Sequence, residues 1–584
     1  MIRRVLPVLK PYRAMVFIMV LMGLFSSLAD SAFPLFNRYA LDHFVAGGTL
    51  KGIGLFAALY VGVLLMQVAA NYISMSYVGQ IEVTVNRDLR NMLFRHLQSL
   101  SFSYFNQNSV GYIHARVMSD TGKIGSLLSW RMMDVVWNAS YLIFILVVMF
   151  RINARLALWI LLLLPAAILA GFYFQRKLVA VNRQVRESNS RIVGNINEGV
   201  TGVRSIKTLV IEDRISRDFE EETGNYQRMA VKAGHYSALF TSGLTFASAA
   251  ALALVLWQGG SLTEKGWMQI GTLSVFMSYA LGMIEPIQYL VHTVSAAIEV
   301  KVNIERVTKL LETAPDVADP PEVVERYGDM LHPKRENWEE LKGEVEFQDV
   351  SFHYPDGEEL VLEHFNLKVP QGTNVAIVGE TGAGKTTLVN LVCRFFEPTQ
   401  GRVLIDGRDA RERSQLWLHS NIGYVLQTPH LFSGTVRENL LYGNPEASEE
   451  EIAWAVGLVA AGEVIERLGG LDAQVGEGGD MLSTGEKQLL SFARAILADP
   501  RILILDEATS SIDTVTEAKI RDAIRTVIRG RTSFIIAHRL STIIQADVIL
   551  VIRDGKIIER GTHDELMELG GYYHDLYTSQ AFPE

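Results

Sequence analysis

Six runs of mostly apolar residues, all in the first half of the chain, restrict the fold more than any other feature. They lie near 15–36, 53–78, 132–150, 156–174, 239–257 and 272–293. About 20 such residues in helical form cross the hydrocarbon core of a bilayer. Lipid offers no partner to a free backbone group, so the crossing form is a helix. One such run could be a buried helix of a soluble domain, but six in succession predict six membrane spans. Arg3, Arg4, Lys10 and Arg13 precede the first run. That run is long enough to span and lacks an A-x-A cleavage site, so it reads as a span and not as a leader.

The connections give the topology. Runs one and two, three and four, and five and six are joined briefly, whereas 79–131 and 175–236 are long and polar. The long stretches carry Arg87, Arg90, Arg95, Arg116, Lys123, Arg176, Lys177, Arg183, Arg186, Arg191, Arg204, Lys207 and Arg214. Basic residues are retained on the cytoplasmic side, which places both stretches and the N-terminus inside. Arg151 and Arg155, in a short connection, oppose this weakly. Helical periodicity continues from the runs into the long stretches, so the helices are expected to extend into the cytoplasm and reverse there. Two apolar patches, 100–105 and 202–206, fall near the reversals. Self-packing and docking onto a cytoplasmic domain are both open readings for them.

Few ionisable residues interrupt the runs. A carboxylate at mid-membrane costs about 2.5–3.5 kcal/mol on insertion scales, so those present face a bundle interior or a watery cavity. Asp30 and Glu285 suit a cavity or a structural pairing, and Asp134 suits either of these or the membrane edge. Pro286 follows Glu285 and lacks a backbone donor, which is expected to bend the sixth span.

The second half reads differently. A chain of 584 residues suggests two or three domains, and its formal net charge of -10 gives no sign of nucleic-acid binding. Cys393 is the single cysteine, which excludes an internal disulfide framework and fits a small core thiol in a reducing compartment. Residues 311–342 are charged and contain Asp316, Asp319, Pro320, Pro321 and Glu322, so they read as a linker. The alternation in Gly343-Glu344-Val345-Glu346-Phe347 then opens a strand. The expected architecture is a membrane α-helical domain over 1–310, with six transmembrane helices and long cytoplasmic extensions. After the linker, an α/β P-loop ATPase domain is expected over 343–584.

The chemistry is concentrated in that second domain. The buried run Val375-Ala376-Ile377-Val378 feeds Gly379-Glu380-Thr381-Gly382-Ala383-Gly384-Lys385-Thr386, and a helical pattern follows from Thr387. This is a phosphate-binding loop in its required strand–loop–helix setting. Its glycines let backbone N–H groups face the phosphates, and the helix N-terminus adds a positive dipole. Nucleotide contacts are expected from Gly379 through Thr387, with Lys385 at the β- and γ-phosphates of ATP and the Thr386 hydroxyl on Mg2+. A second buried run, Ile502-Leu503-Ile504-Leu505, ends in Asp506-Glu507. Carboxylates at a strand's C-terminal end lie where an open α/β sheet binds ligands. Asp506 is expected to hold Mg2+ and Glu507 to polarise the water that attacks the γ-phosphate.

With these residues the chain resembles the ATP-binding cassette transporters, specifically bacterial exporters that fuse membrane and nucleotide domains, over nearly its whole length. The resemblance implies an adenine-stacking aromatic at Tyr354 and a glutamine at Gln427 that senses Mg2+ and the γ-phosphate. It implies a signature at Leu482-Ser483-Thr484-Gly485-Glu486, whose Ser483 and Gly485 face the partner's nucleotide. Val475-Gly476-Glu477 would contact membrane helices, Ser511-Ile512-Asp513 would cross the dimer interface, and His538 would be the switch histidine at the γ-phosphate. Two half-transporters would close on two ATP and carry the membrane halves from inward-facing to outward-facing.

The family signature is Leu-Ser-Gly-Gly-Gln, and this chain departs from it at Thr484 and Glu486. An altered signature beside an intact Glu507 is the pattern of one subunit of a heterodimeric exporter, so a second, different half-transporter is the favoured partner and a homodimer the alternative. The resemblance implies ATP-driven export of a small amphipathic substrate, drug-like or lipid, across the lipid bilayer of the cell membrane. An ATP-gated channel or regulator and a peptide exporter remain as alternatives.

Overall fold

The computed structural model describes residues 6–330, 332–506, 514–536 and 543–581. The chain divides into two compact units. The first comprises 1–97 and 111–313, and the second 98–110 and 314–584.

The first unit is helical. Five of its helices are long and apolar enough to cross a membrane among the described residues: Pro7–Val45, Ile53–Ser99, Val110–Ile152, Glu212–Glu264 and Ile270–Thr293. The remaining expected span, 156–174, falls in the helix Ala154–Thr201. At 1.5 Å per residue the 47-residue helix Ile53–Ser99 and the 48-residue helix Ala154–Thr201 are each about 70 Å long, more than twice a hydrocarbon core. The helices therefore run on beyond the membrane, as their periodicity predicts. Leu55, Leu65 and Tyr72 on the second helix are exposed, as side chains bathed in lipid are.

Small residues bring the first helix against its neighbours. Gly23 lies where a Cβ would meet Met133 Cε at 2.1 Å, and Ser26, Ser27 and Ser31 are buried beside it. Close approach through small residues is how helices gain packing energy in lipid, where apolar burial supplies little. The Tyr279 hydroxyl donates to the Ser31 carbonyl at 2.6 Å and ties the last span to the first. The sixth span is interrupted. One helix ends at Gly282 and the next starts at Ile284, because Pro286 has no N–H to return to the Gly282 carbonyl.

The second unit holds two sheets. β1 (Val345–Phe352), β2 (Leu362–Val369), β4 (Gln400–Ile405) and β5 (Arg408–Asp409) form an antiparallel sheet in the order β2-β1-β4-β5. The other strands are β3 (Asn374–Val378), β6 (Ile422–Val425), β7 (Ile502–Asp506), β8 (Thr532–Ile536), β9 (Val548–Arg553) and β10 (Lys556–Gly561). They form a sheet in the order β10-β9-β3-β8-β7-β6, parallel except at β10. Its strands are apolar on both faces because each face is covered. Ala376, Val378, Leu503 and Leu505 enter one core, while Val375, Ile377, Ile502 and Ile504 enter the other. Cys393 is fully buried in the second core, which pushes its thiol pKa up and leaves it inert.

Two stretches read as connections are firmly held in this unit. Asp319 pairs with the buried Arg394 at 2.8 Å and accepts the Gln415 N–H. The short helix Phe102–Gln107 also belongs here. Phe102 stacks on Phe395 with ring centroids 5.2 Å apart, and Ser101 Oγ accepts the Val317 N–H at 2.8 Å. Of the two readings of 100–105, docking holds. Of the corresponding stretch near 202–206, the helix Val203–Leu209 leaves Val203 and Leu209 exposed.

Candidate active site

The phosphate loop is a consequence of backbone space. Gly382 and Gly384 take φ of +87° and +101°, which side-chain-bearing residues adopt only under strain. A Cβ on Gly379 would lie 2.1 Å from the Ile552 carbonyl oxygen of the neighbouring β9. The loop opens directly into the helix Lys385–Val392. Lys385 is 7% exposed, and its Nζ donates to the Gly379 and Glu380 carbonyls at 2.8 and 2.7 Å, closing the loop around its own ammonium. Burial lowers its pKa, and the nearby Asp506 carboxylate works against that shift. Thr381 and Thr386 are exposed, whereas Ala383 is packed inward.

The parallel strands bring the other groups to the same edge. β8 lies between β3 and β7, with Ile536 in register with both Ile377 and Asp506. Asp506 therefore sits two strand spacings, about 10 Å, from the strand that feeds the loop. Gln427 follows the end of β6, next to β7, and is exposed. Glu507, 511–513 and His538 lie outside the described residues.

Tyr354 stands as a fixed ring. Phe352 and Phe396 meet it edge-on at 5.0 and 5.2 Å, and its hydroxyl hydrogen-bonds Thr387 Oγ1 at 2.9 Å. Thr387, expected among the nucleotide contacts, is thus engaged in orienting the tyrosine.

The signature shows what its unusual glutamate does. Ser483 caps the helix Thr484–Leu497, accepting the Glu486 N–H at 3.4 Å. Glu486 Oε2 in return accepts the Ser483 N–H at 2.9 Å, a reciprocal capping box. Its other oxygen accepts from Arg467 at 2.7 Å. Burial would raise the Glu486 pKa, but the two Ser483 hydrogen bonds and Arg467 outweigh it and hold the carboxyl low. The added charge is folded back onto its own helix and neutralised. Ser483 and Thr484 remain exposed at the helix start, and Gly485 is buried.

Two contributors are invisible in the sequence pattern. Arg467 is 19 residues from Glu486, and Tyr572, whose hydroxyl donates to Glu380 Oε1 at 2.8 Å, is 192 residues from the loop it steadies. Neither sits in a motif, so only the fold reveals them.

Residues 16–287 match the family described as the ABC transporter transmembrane region, and residues 362–510 match the family described as ABC transporter. The chain belongs to the ABC transporter family. The transporter is 32% identical over 585 residues to the putative multidrug export ATP-binding/permease protein YgaD of Bacillus subtilis, covering 99% of each chain. It is 35% identical to the ATP-dependent lipid A-core flippase of Desulfotalea psychrophila, over 86% of this chain and 85% of that one. A bacterial Atm1-family ABC exporter solved with ATP bound superposes with a TM-score of 0.78 at 26% identity, over 99% of both chains. The transporter is a multi-pass membrane protein whose cytoplasmic cassette binds ATP and couples its hydrolysis to transport, and its fold works as a dimer.

Proposed function

We propose that the chain is one half of an exporter that drives amphipathic compounds, drug-like molecules or lipids, outward by alternating access. The observation that carries this reading is a closed phosphate loop with Lys385 and Asp506 at one sheet edge, in the same chain as a helical unit that holds a polar cavity. The relatives named for multidrug export and lipid A flipping support the cargo class.

In this reading the N–H groups of 379–386 and the Lys385 ammonium bind the phosphates, and Tyr354 stacks on the adenine. Glu507 orients the attacking water, and His538 contacts the γ-phosphate. Thr386, Gln427 and Asp506 present hydroxyl, amide and carboxylate oxygens from the helix after β3, the segment after β6 and the end of β7, the hard donors that suit Mg2+ beside substrate phosphates. When bound, Mg2+ would supply charge neutralisation to the substrate phosphates. Ser483 and Gly485 meet the nucleotide of the opposite half.

The same reading pairs this chain with a different half-transporter. Since Glu486 is neutralised by its cap and Arg467, the support lies in Thr484, which adds an exposed side chain where the family signature has glycine. Expression of the chain alone and with candidate partners, followed by oligomer mass and ATPase assay, tests the pairing. A fully active homodimer defeats it. Transport is tested by uptake into inside-out vesicles with ATP against a non-hydrolysable analogue. Accumulation against a gradient that requires hydrolysis is expected, and passive equilibration on ATP binding alone would identify a channel instead.

A further inference from the structure

The membrane unit holds a half-open cavity of about 540 Å³ lined by Ser26, Asp30, Gln67, Asp134, Trp137, Asn138, Tyr141 and Glu285 among others. Its chemistry is one-sided. Gln67 Nε2 donates to Asp30 Oδ1 at 2.5 Å and fixes that carboxylate. Glu285 is exposed to the cavity and has no hydrogen bond or ion pair among the described residues. Tyr141 lines the same cavity as both carboxylates. Among the described residues, Asp134 is the one acid there with a basic neighbour, Arg131 at 3.5 Å.

Two further acceptors are independent of the acids. Asn138 is 5% exposed, and its Nδ2 donates to the Asp134 carbonyl at 2.7 Å, yet its Oδ1 has no partner among the described residues. Gly282 also lines the cavity, at the end of its helix, and Pro286 supplies no N–H for its carbonyl. A helix C-terminus carries partial negative charge of its own. Trp137 and Tyr141 stack with centroids 5.3 Å apart and only 6° between their planes, forming one broad aromatic wall. A bare acceptor costs free energy when buried, so acceptors assembled around an aromatic wall await a ligand of positive charge.

No basic residue is among the described residues that line this cavity. Lys123, Arg131, Arg183, Arg186 and Arg306 line a separate cavity of about 570 Å³. Glu285, Tyr289, His292, Asn303 and Arg306 follow one face of the helix Ile284–Glu312, so the field along that face changes sign over about 30 Å. An anion is drawn to the basic end and turned away from the acidic one.

Resting on the exporter reading above, we propose that the chamber between Asp30, Asn138, Glu285 and the Trp137–Tyr141 wall binds a lipophilic cation. The cargo is thus an amphiphile whose positive centre sits against the carboxylates while its apolar body lies on the rings.

The test uses two probes of nearly equal size and opposite charge, tetraphenylphosphonium and tetraphenylborate, in equilibrium binding to the full-length transporter in its native assembly without ATP. With Asp30→Asn and Glu285→Gln combined, affinity for the phosphonium is expected to fall about tenfold or more, while that for the borate holds or rises. The combined Asp30→Glu and Glu285→Asp variant keeps both charges and is expected to keep phosphonium binding. A phosphonium affinity untouched by neutralisation, an equal fall for both probes, or an equal loss in the charge-retaining variant overturns the proposal. Because no hydrolysis is involved, this result is separate from vesicle uptake: a channel could have this chamber, and an exporter could lack it.

Discussion

The cassette and the membrane unit solve recognition in opposite ways. In the cassette, function follows from where the backbone is allowed to go. Gly379 has no room for a Cβ, Gly382 and Gly384 need left-handed φ, and Asp506 stands wherever its strand ends. Few residue types satisfy those conditions, so the site is confined to a handful of positions. In the membrane unit, one helical scaffold can be lined by almost any apolar residue, and recognition rests on a few polar groups spread over several helices. Single changes should therefore be severe in the first region and graded in the second.

The largest expected effect is that of Glu507→Gln. Losing the carboxylate while keeping its shape should lower single-turnover hydrolysis by about 10²–10⁴-fold with ATP binding retained. Near-normal turnover would remove Glu507 from catalysis and break the cassette side of the comparison. Lys385→Ala removes charge-assisted hydrogen bonds of about 1.5–3 kcal/mol and should weaken equilibrium ATP binding by about 10–100-fold. Tyr354→Ala loses stacking but no charge, and a weakening of about 3–10-fold is expected in the same assay. If it exceeded the lysine change, charge would not be the dominant grip.

On the membrane side, Gly282→Ala places a Cβ 3.0 Å from the Tyr141 hydroxyl. It should shift the aromatic wall and alter phosphonium affinity by a few-fold, with ATP affinity constant; a total loss would show that the chamber is as position-bound as the loop. The smallest effect is expected for Glu486→Gln, since glutamine also completes a capping box and only the Arg467 pair is lost, below about 1 kcal/mol. Hydrogen exchange of the first-turn amides of Thr484–Leu497 measures it. The depressed Glu486 pKa has its own signature. The wild-type cap contributes fully above the ordinary glutamate range and loosens as pH falls through the lowered pKa, whereas the glutamine variant loses that dependence.

The same contrast explains what could be read in advance. The strand–loop–helix around Lys385 was legible because its glycines are geometric necessities, and the spans were legible because lipid demands length and apolarity. The break at Met283 follows from Pro286 alone. Glu486 was not legible in this way. Its identity adds a charge to the signature, but its side chain turns back to cap Ser483, three residues upstream, and pairs with Arg467, 19 residues upstream. Within the linker read over 311–342, Asp319 is clamped by Arg394, and composition could not show this because the partners of Arg394 are scattered through the sequence. Asp30 and Glu285 could be named from the sequence, but the neighbours that make them a chamber lie on other helices.

The position of β3 has a consequence for the order of events in the cell. Its sheet neighbours are β8 and β9, more than 150 residues further along, and Tyr572, which steadies Glu380, stands near the end of the chain. A ribosome delivers the spans before these supports. The nucleotide site thus has no complete frame until β8, β9 and Tyr572 have emerged, so a chain still lacking them inserts its helices before it can consume ATP.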